Sequence, residues 1–384
     1  MKNRNKNIYL DYAATTPLSP EALLAMQPYL TTKFGNPSSL HSFGEQARQA
    51  IDEARQKVAK VLGCREKEII FTASGTEADN LALKGIAEAG NFRGHLITSV
   101  IEHPAVLETA RYLEDRGVKV AYIEVDKFGC VNPQDVLKAV RDDTFLVSVM
   151  YANNEIGTIQ PIAEIAKSVK RKNKAILIHT DAVQAPGLLP LSVDKLGVDL
   201  LSLSAHKFYG PKGAGILYKR QGVNLAPQIL GGGQEFGWRS GTENVAGIVG
   251  SAMALSKAEN QRQKEVPRLS KLRDFLIASV KKAIPEAVLT GHPNKRLPNN
   301  ASFCFPGLEG EALVFRLSER GFSCSSGSAC STGKFEASRV LLALGLDKNL
   351  ALGSLRISLG RTTKLADLTR FIKILREEVE KLSS

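Results

Sequence analysis

No apolar run in the 384 residues approaches the roughly 20 that a membrane-spanning helix needs. The first residues, MKNRNKNIYLDYAATTP, are basic but lack an apolar segment, which predicts no secretory leader. Cysteine is scarce and odd in number: there are five, with no Cys-x-x-Cys pair. That spacing argues against a disulfide framework and against a zinc site, so no metal is expected, and it fits a reducing cytoplasm. Gly/Ser linkers and internal repeats are missing as well, which leaves one or two domains with ample apolar content for a core.

What charge there is leans basic, with a net +12 and a pI near 9.4. Such a surface attracts anionic cofactors, acidic partners or nucleic acid. The densest cluster, Lys167, Lys170, Arg171, Lys172 and Lys174, lies in IAEIAKSVKRKNK. This reads as the end of an amphipathic helix, where cations complement the dipole. No aromatic residues interleave with it, so a solvated helix end is expected there and no direct nucleic-acid partner.

Between residues 68 and 220 short apolar runs alternate with helical patterns. The runs are EIIFTA, HLITSVI, KVAYIEV, TFLVSVMY, AILIHTDA, DLLSLSA and GAGILYK. Several are apolar on consecutive residues, as in strands buried on both faces. The fold class predicted is α/β, with a mainly parallel sheet and helices on both sides. A long helical stretch follows from 245, and a second mixture of strands and helices follows that. The expected division is a large domain over 16–260 and a smaller α/β domain made of 1–15 and 261–384.

Ligands of parallel α/β sheets bind beyond the carboxyl ends of the strands, so the residues after each run carry the functional reading. After IIFTA comes Ser74-Gly75-Thr76-Glu77, a small-residue turn into a helix N-terminus and a good phosphate seat. After HLITSVI comes Glu102-His103-Pro104. Asn153 and Asn154 follow TFLVSVMY, Asp181 and Gln184 follow AILIH, and Ser204, His206 and Lys207 follow DLLSLS. Each alone reads equally well as a cap, a surface imidazole or a salt bridge. Together they match pyridoxal phosphate. Its phosphate wants a helix N-terminus, its ring nitrogen a carboxylate, and its aldehyde a lysine.

One more stretch, GFSCSSGSACSTGK (321–334), places Cys324 and Cys330 among glycines and serines. Glycine is costly to order and serine competes for backbone hydrogen bonds, so neither helix nor strand is expected there.

Here a resemblance covers essentially the whole chain. YLDYAATTP (9–17), GNPSSLH (35–41), SGTEADNLALKG (74–85), EHPAV (102–106), NNEIG (153–157), HTDAVQ (179–184), SAHKFYGPKG (204–213), GGGQEFGWRSGTEN (231–244) and SSGSAC (325–330) follow in order. The chain resembles the cysteine desulfurases of the NifS/IscS type, in the class V aminotransferase family of fold type I pyridoxal-phosphate enzymes. The resemblance implies that Lys207 is the Schiff-base lysine and Asp181 the partner of the ring nitrogen. Gln184 matches the residue bonded to the ring's phenolic oxygen, and His103 the imidazole that stacks on the ring and moves protons. Gly75, Thr76, Ser204 and His206 resemble the phosphate cradle, and Asn154 and Arg356 the groups near the substrate carboxylate. Thr242 resembles a phosphate contact donated by a neighbouring subunit, which implies a homodimer with shared active sites.

The same resemblance makes Cys330 the nucleophile, carried on a loop of about 321–337 that must bring it to the substrate and then to an acceptor. The implied reaction takes L-cysteine to L-alanine and leaves a persulfide on Cys330. Lys334 nearby favours the thiolate. Cys324, Cys64, Cys130 and Cys304 have no place in the pattern and read as small apolar fillers. STGKFEAS after SSGSAC has the long-loop form of the NifS/IscS branch, without the Arg-x-Gly-x-x-Cys pattern of the SufS-like branch. Members that dock an iron–sulfur scaffold usually carry a further tail. The chain ends at ILREEVEKLSS, so the expected sulfur acceptors also include a nitrogen-fixation scaffold or a tRNA-thiolation enzyme. Selenocysteine lyase, or another class V enzyme, is the alternative activity.

Overall fold

The structure, a computed structural model, describes residues 7–327 and 336–383. Strand β1 (Ile8–Tyr9) opens the chain. The main sheet follows, with β2 (Ile69–Thr72), β3 (His95–Ser99), β4 (Lys119–Ile123), β5 (Thr144–Ser148), β6 (Leu177–Asp181), β7 (Leu200–Ser204) and β8 (Gly215–Lys219). Their order is β2-β8-β7-β6-β5-β3-β4. β8 runs antiparallel to both its neighbours, and every other pair is parallel. The α/β class and the mainly parallel sheet therefore stand as expected.

The consecutive apolar residues of these strands serve two cores. Successive side chains point to opposite faces, so Ile69 and Phe71 pack into one cluster with Ile97 and Val147, while Ile70 packs into another with Leu96 and Leu146. Helix Gly75–Ala89 covers the second face with Ala78, Leu81, Ala82 and Ile86. Helix Ser42–Leu62 covers the first with Ile51, Ala54 and Val58.

A second sheet is built from β9 (Val288–Leu289), β10 (Asn300–Cys304) and β12 (Ser354–Ser358), antiparallel throughout, while β11 (Phe322–Ser323) pairs with β1 in parallel. Its core holds Leu10, Phe303, Leu355 and Phe371. Helix Val245–Ala283 touches both cores. Ile248, Ala252 and Leu255 face the first, and Leu269, Leu276 and Val280 the second, on either side of Pro267.

Among the described residues no helix is long and apolar enough to cross a membrane. The basic cluster does sit at a helix end, in Ile162–Lys172. Lys170 pairs with Asp199 at 2.7 Å, and Lys172 donates to the carbonyls of Leu137 and Val140.

Candidate active site

A cavity of about 360 Å³ opens where the main strands end. Polar groups reach it from the ends of β2, β3, β5, β6 and β7. After β2 the chain turns into helix Gly75–Ala89, capped by Ser74, whose Oγ accepts from the Glu77 amide at 3.1 Å. The amides of Gly75 and Thr76 are among the first four of the helix and have no partner inside it. They line the cavity with Ser204 and His206. Gly75 cannot be larger. A Cβ there would stand 2.8 Å from Val183 Cγ2 and 3.1 Å from Ser204 Cβ.

His103 ends the turn after β3 and caps helix Pro104–Glu114, its Nδ1 accepting from the Ala105 amide. Burial lowers its pKa, helped by the charges of Lys207 and Arg339 and opposed by Asp181. Asp181, the last residue of β6, is buried, and its Oδ1 accepts from the Val183 amide at 2.9 Å. Burial raises its pKa, while His103, that amide and Lys207 pull it back toward the ionised form.

Lys207 follows β7 and donates from Nζ to the carbonyls of Ala13 and Ala14, both at 2.8 Å. Burial and the charge of Arg356 bring its pKa down to about 8. The amine is thus close to its neutral, nucleophilic form at ordinary pH. Gln184 Nε2 donates to the Ala13 carbonyl at 3.0 Å. His206 has its Nδ1 against Thr15 Oγ1 at 3.0 Å, and burial with the charges of Lys207 and Lys212 pushes its pKa down to about 4.

From the second sheet, β12 sends Arg356 to the same cavity. It donates to Asp11 Oδ1 at 2.8 Å and to the Asn154 carbonyl at 3.1 Å. Its buried Nε has no partner. A guanidinium already fixed on two sides, with a donor to spare, is suited to a carboxylate.

The structure thus brings together His103, Gly75, Thr76, Asn154, Asp181, Gln184, Ser204, His206, Lys207 and Arg356. Thr242 is elsewhere, in a neighbouring cavity with Phe71, Ala73 and Arg239. Cys330 and Lys334 lie outside the described residues. Cys304 and Cys324 are buried, and burial pushes both thiols up to about 12. Two carboxylates in or beside the cavity had no role in the sequence reading. Asp11 sits in YLDYAATTP and holds Arg356. Asp79 sits in SGTEADNLALKG on the inward face of its helix, and an acid among buried small residues was the available signal.

Gly75→Ala is expected to crowd this turn and weaken binding of an anion at the helix N-terminus. Overpacking costs about 1–3 kcal/mol, or roughly 5- to 150-fold in affinity. Titration of the apoprotein with pyridoxal phosphate, followed by absorbance, measures it. Unchanged affinity would mean that the turn does not bound the site.

A helix N-terminus, a buried carboxylate and a buried lysine meet around one cavity on an α/β sheet. The aminotransferase class-V family model matches residues 8–371, and the chain belongs to that family. It is 51% identical to the cysteine desulfurase IscS of Dictyoglomus turgidum, over 98% of this chain and 95% of that protein. A solved NifS-like protein superposes with a TM-score of 0.93 at 43% identity, covering 98% of this chain and all of the other. SspA, solved in complex with cysteine, superposes with a TM-score of 0.80 at 38% identity over 91% of this chain.

Proposed function

We propose that this protein is a cysteine desulfurase that uses pyridoxal phosphate and carries sulfur on Cys330. The observation that carries the reading is the single cavity in which Lys207, Asp181 and the Gly75 turn converge, in a chain similar over nearly its whole length to cysteine desulfurases. The cofactor fits on two counts. The Gly75 turn is packed too closely against Val183 and Ser204 for any side chain, so its backbone borders the cavity bare, and Lys207 is buried with its pKa lowered to about 8. Bound there, pyridoxal phosphate supplies an electron sink that stabilises negative charge at the α-carbon of an amino acid.

The chain's own groups supply the rest. The Gly75 and Thr76 amides, Ser204 and His206 would hold the phosphate, and Asp181 would accept a hydrogen bond from the protonated ring nitrogen. Gln184 would donate to the phenolic oxygen, and His103 would lie against the ring. Arg356 binds the carboxylate of L-cysteine with Asn154 beside it. The Lys207 Nζ takes the α-proton and returns it. The thiolate of Cys330 attacks the substrate sulfur. A sulfur–sulfur bond forms as the carbon–sulfur bond breaks, and alanine leaves with a proton in place of sulfur.

The large body, 16–260, holds the cofactor, and 1–15 with 261–384 carry Arg356 and Cys330. Thr242 serves the cavity of a second subunit in a homodimer, which accounts for its place outside this one. The persulfide passes to an acceptor protein for iron–sulfur assembly or thiolation in the cytoplasm.

Arg356→Lys tests the substrate end. Loss of the forked donor to a carboxylate costs about 1.5–3 kcal/mol, or roughly 10- to 150-fold in kcat/KM for L-cysteine, mostly as a raised KM. A kcat/KM within twofold of the parent would remove Arg356 from the substrate site.

A further inference from the structure

The cavity holds a carboxylate that the reaction above leaves unused. Asp79 lines it, is 1% exposed, and has an Oδ1 with no hydrogen-bond partner. Its other contacts run into the sheet. The Ser202 hydroxyl favours its ionised form against the burial that raises its pKa, and the same Ser202 Oγ is 3.0 Å from His179 Nε2. His179 Nδ1 is in turn 2.8 Å from Ser148 Oγ. Asp79 Oδ1 stands 3.5 Å from His179 Nε2, but burial pushes the pKa of that ring to about 3, so it offers no positive charge.

Three acids therefore share one dry region: Asp79, Asp181 and Glu102. Around Asp79 stand His179 and Asp181 on β6, Ser202 on β7, and Glu102 and His103 after β3, with Lys207 across the cavity. Like charges this close cannot all ionise in a low dielectric. Glu102 takes the Ser99 hydroxyl at 2.5 Å and the Met150 amide at 2.9 Å on one oxygen, Oε1, while its buried Oε2 has no partner. Burial pushes its pKa up to about 8, so it competes with Asp181 for charge no more than a neutral Asp79 does. Asp181 has the Val183 amide and faces both His103 and Lys207. Asp79 has one hydroxyl and an orphaned oxygen. An orphaned oxygen is costly on a carboxylate and much less so on a neutral acid.

We propose that Asp79 is a positioning residue that holds a proton as a neutral carboxylic acid, tied to the Ser202–His179–Ser148 chain, so that Asp181 remains the ionised partner of the cofactor. Asp79 then donates to Ser202, and no second negative charge competes with Asp181 for the ring nitrogen. The inference rests on the assignment of Asp181 to that nitrogen.

The test is Asp79→Asn in the holoenzyme, since the amide copies a neutral acid in shape and donor. The expected result is a protein that folds, keeps pyridoxal phosphate with an affinity within about threefold of the parent, and shows the same pH midpoint for its cofactor absorbance to within about 0.3 units. Loss of the neighbouring charge in Asp181→Asn is expected to lower that midpoint by about one unit or more. An ionised Asp79 would instead make Asp79→Asn lower the midpoint by a similar amount, and that result overturns the proposal. So does failure of Asp79→Asn to fold or to hold cofactor. If the parent itself binds no pyridoxal phosphate, it is the functional reading that has failed. The infrared difference between parent and Asp79→Asn then still decides this point, as loss of a protonated-acid carbonyl band or of a carboxylate band.

Discussion

Lys207→Ala releases no measurable alanine from L-cysteine. The loss is expected to be on the order of 10³-fold, within the range a positioned general base supplies. The structure gives the reason in two parts. Lys207 is the amine that lines the cavity, and burial with the charge of Arg356 has already lowered its pKa to about 8. Its Nζ rests on the carbonyls of Ala13 and Ala14, which accept its hydrogen bonds but carry no charge to fix the ammonium form. The same variant should bind pyridoxal phosphate without covalent retention after borohydride reduction, whereas the parent retains it. Alanine release near the parent rate would remove the lysine from the chemistry altogether.

Cys330→Ser has the second large effect. It is expected to bind L-cysteine as the parent does, so that the absorbance change on adding substrate survives while sulfur transfer falls to background. A serine hydroxyl is far less nucleophilic than a thiolate at neutral pH. Cys324→Ser is the control. Cys324 is 8% exposed and packs with the second core, and burial holds it as a thiol near pKa 12. Its substitution costs stability, about 1 kcal/mol or somewhat more, while most sulfur transfer remains. Sulfide release assayed with a thiol reductant, beside a thermal melt, separates the two variants.

Much of this architecture is legible in the residue order. IIFT, HLITS and LLSLS are apolar on consecutive positions because both faces of their strands are buried, and that pattern marks a covered, mainly parallel sheet. The reversed direction of β8 was not read, although the residues between Ser204 and Gly215 are too few for a helical crossover and force a hairpin-like return. The convergence of Gly75, Asp181 and Lys207 follows from the rule that sites form beyond strand ends. Arg356 does not follow from it, because it arrives from another sheet, and only likeness to the family pointed there. Asp11 was hidden for a similar reason, and Asp79 shows in the sequence only as an acid among small residues. Their meaning depends on His179, Ser202 and Arg356, which the fold brings in from distant segments.

The claim on which the account turns is that sulfur from L-cysteine comes to rest on Cys330. Holoenzyme treated with L-cysteine without reductant, alkylated, digested and read by mass spectrometry tests it directly. One added sulfur is expected on the peptide containing Cys330, formed with an equal amount of alanine and absent in Lys207→Ala. Added sulfur on Cys324, Cys304, Cys130 or Cys64 with Cys330 unmodified, or alanine formed with no protein-bound sulfur, would contradict it.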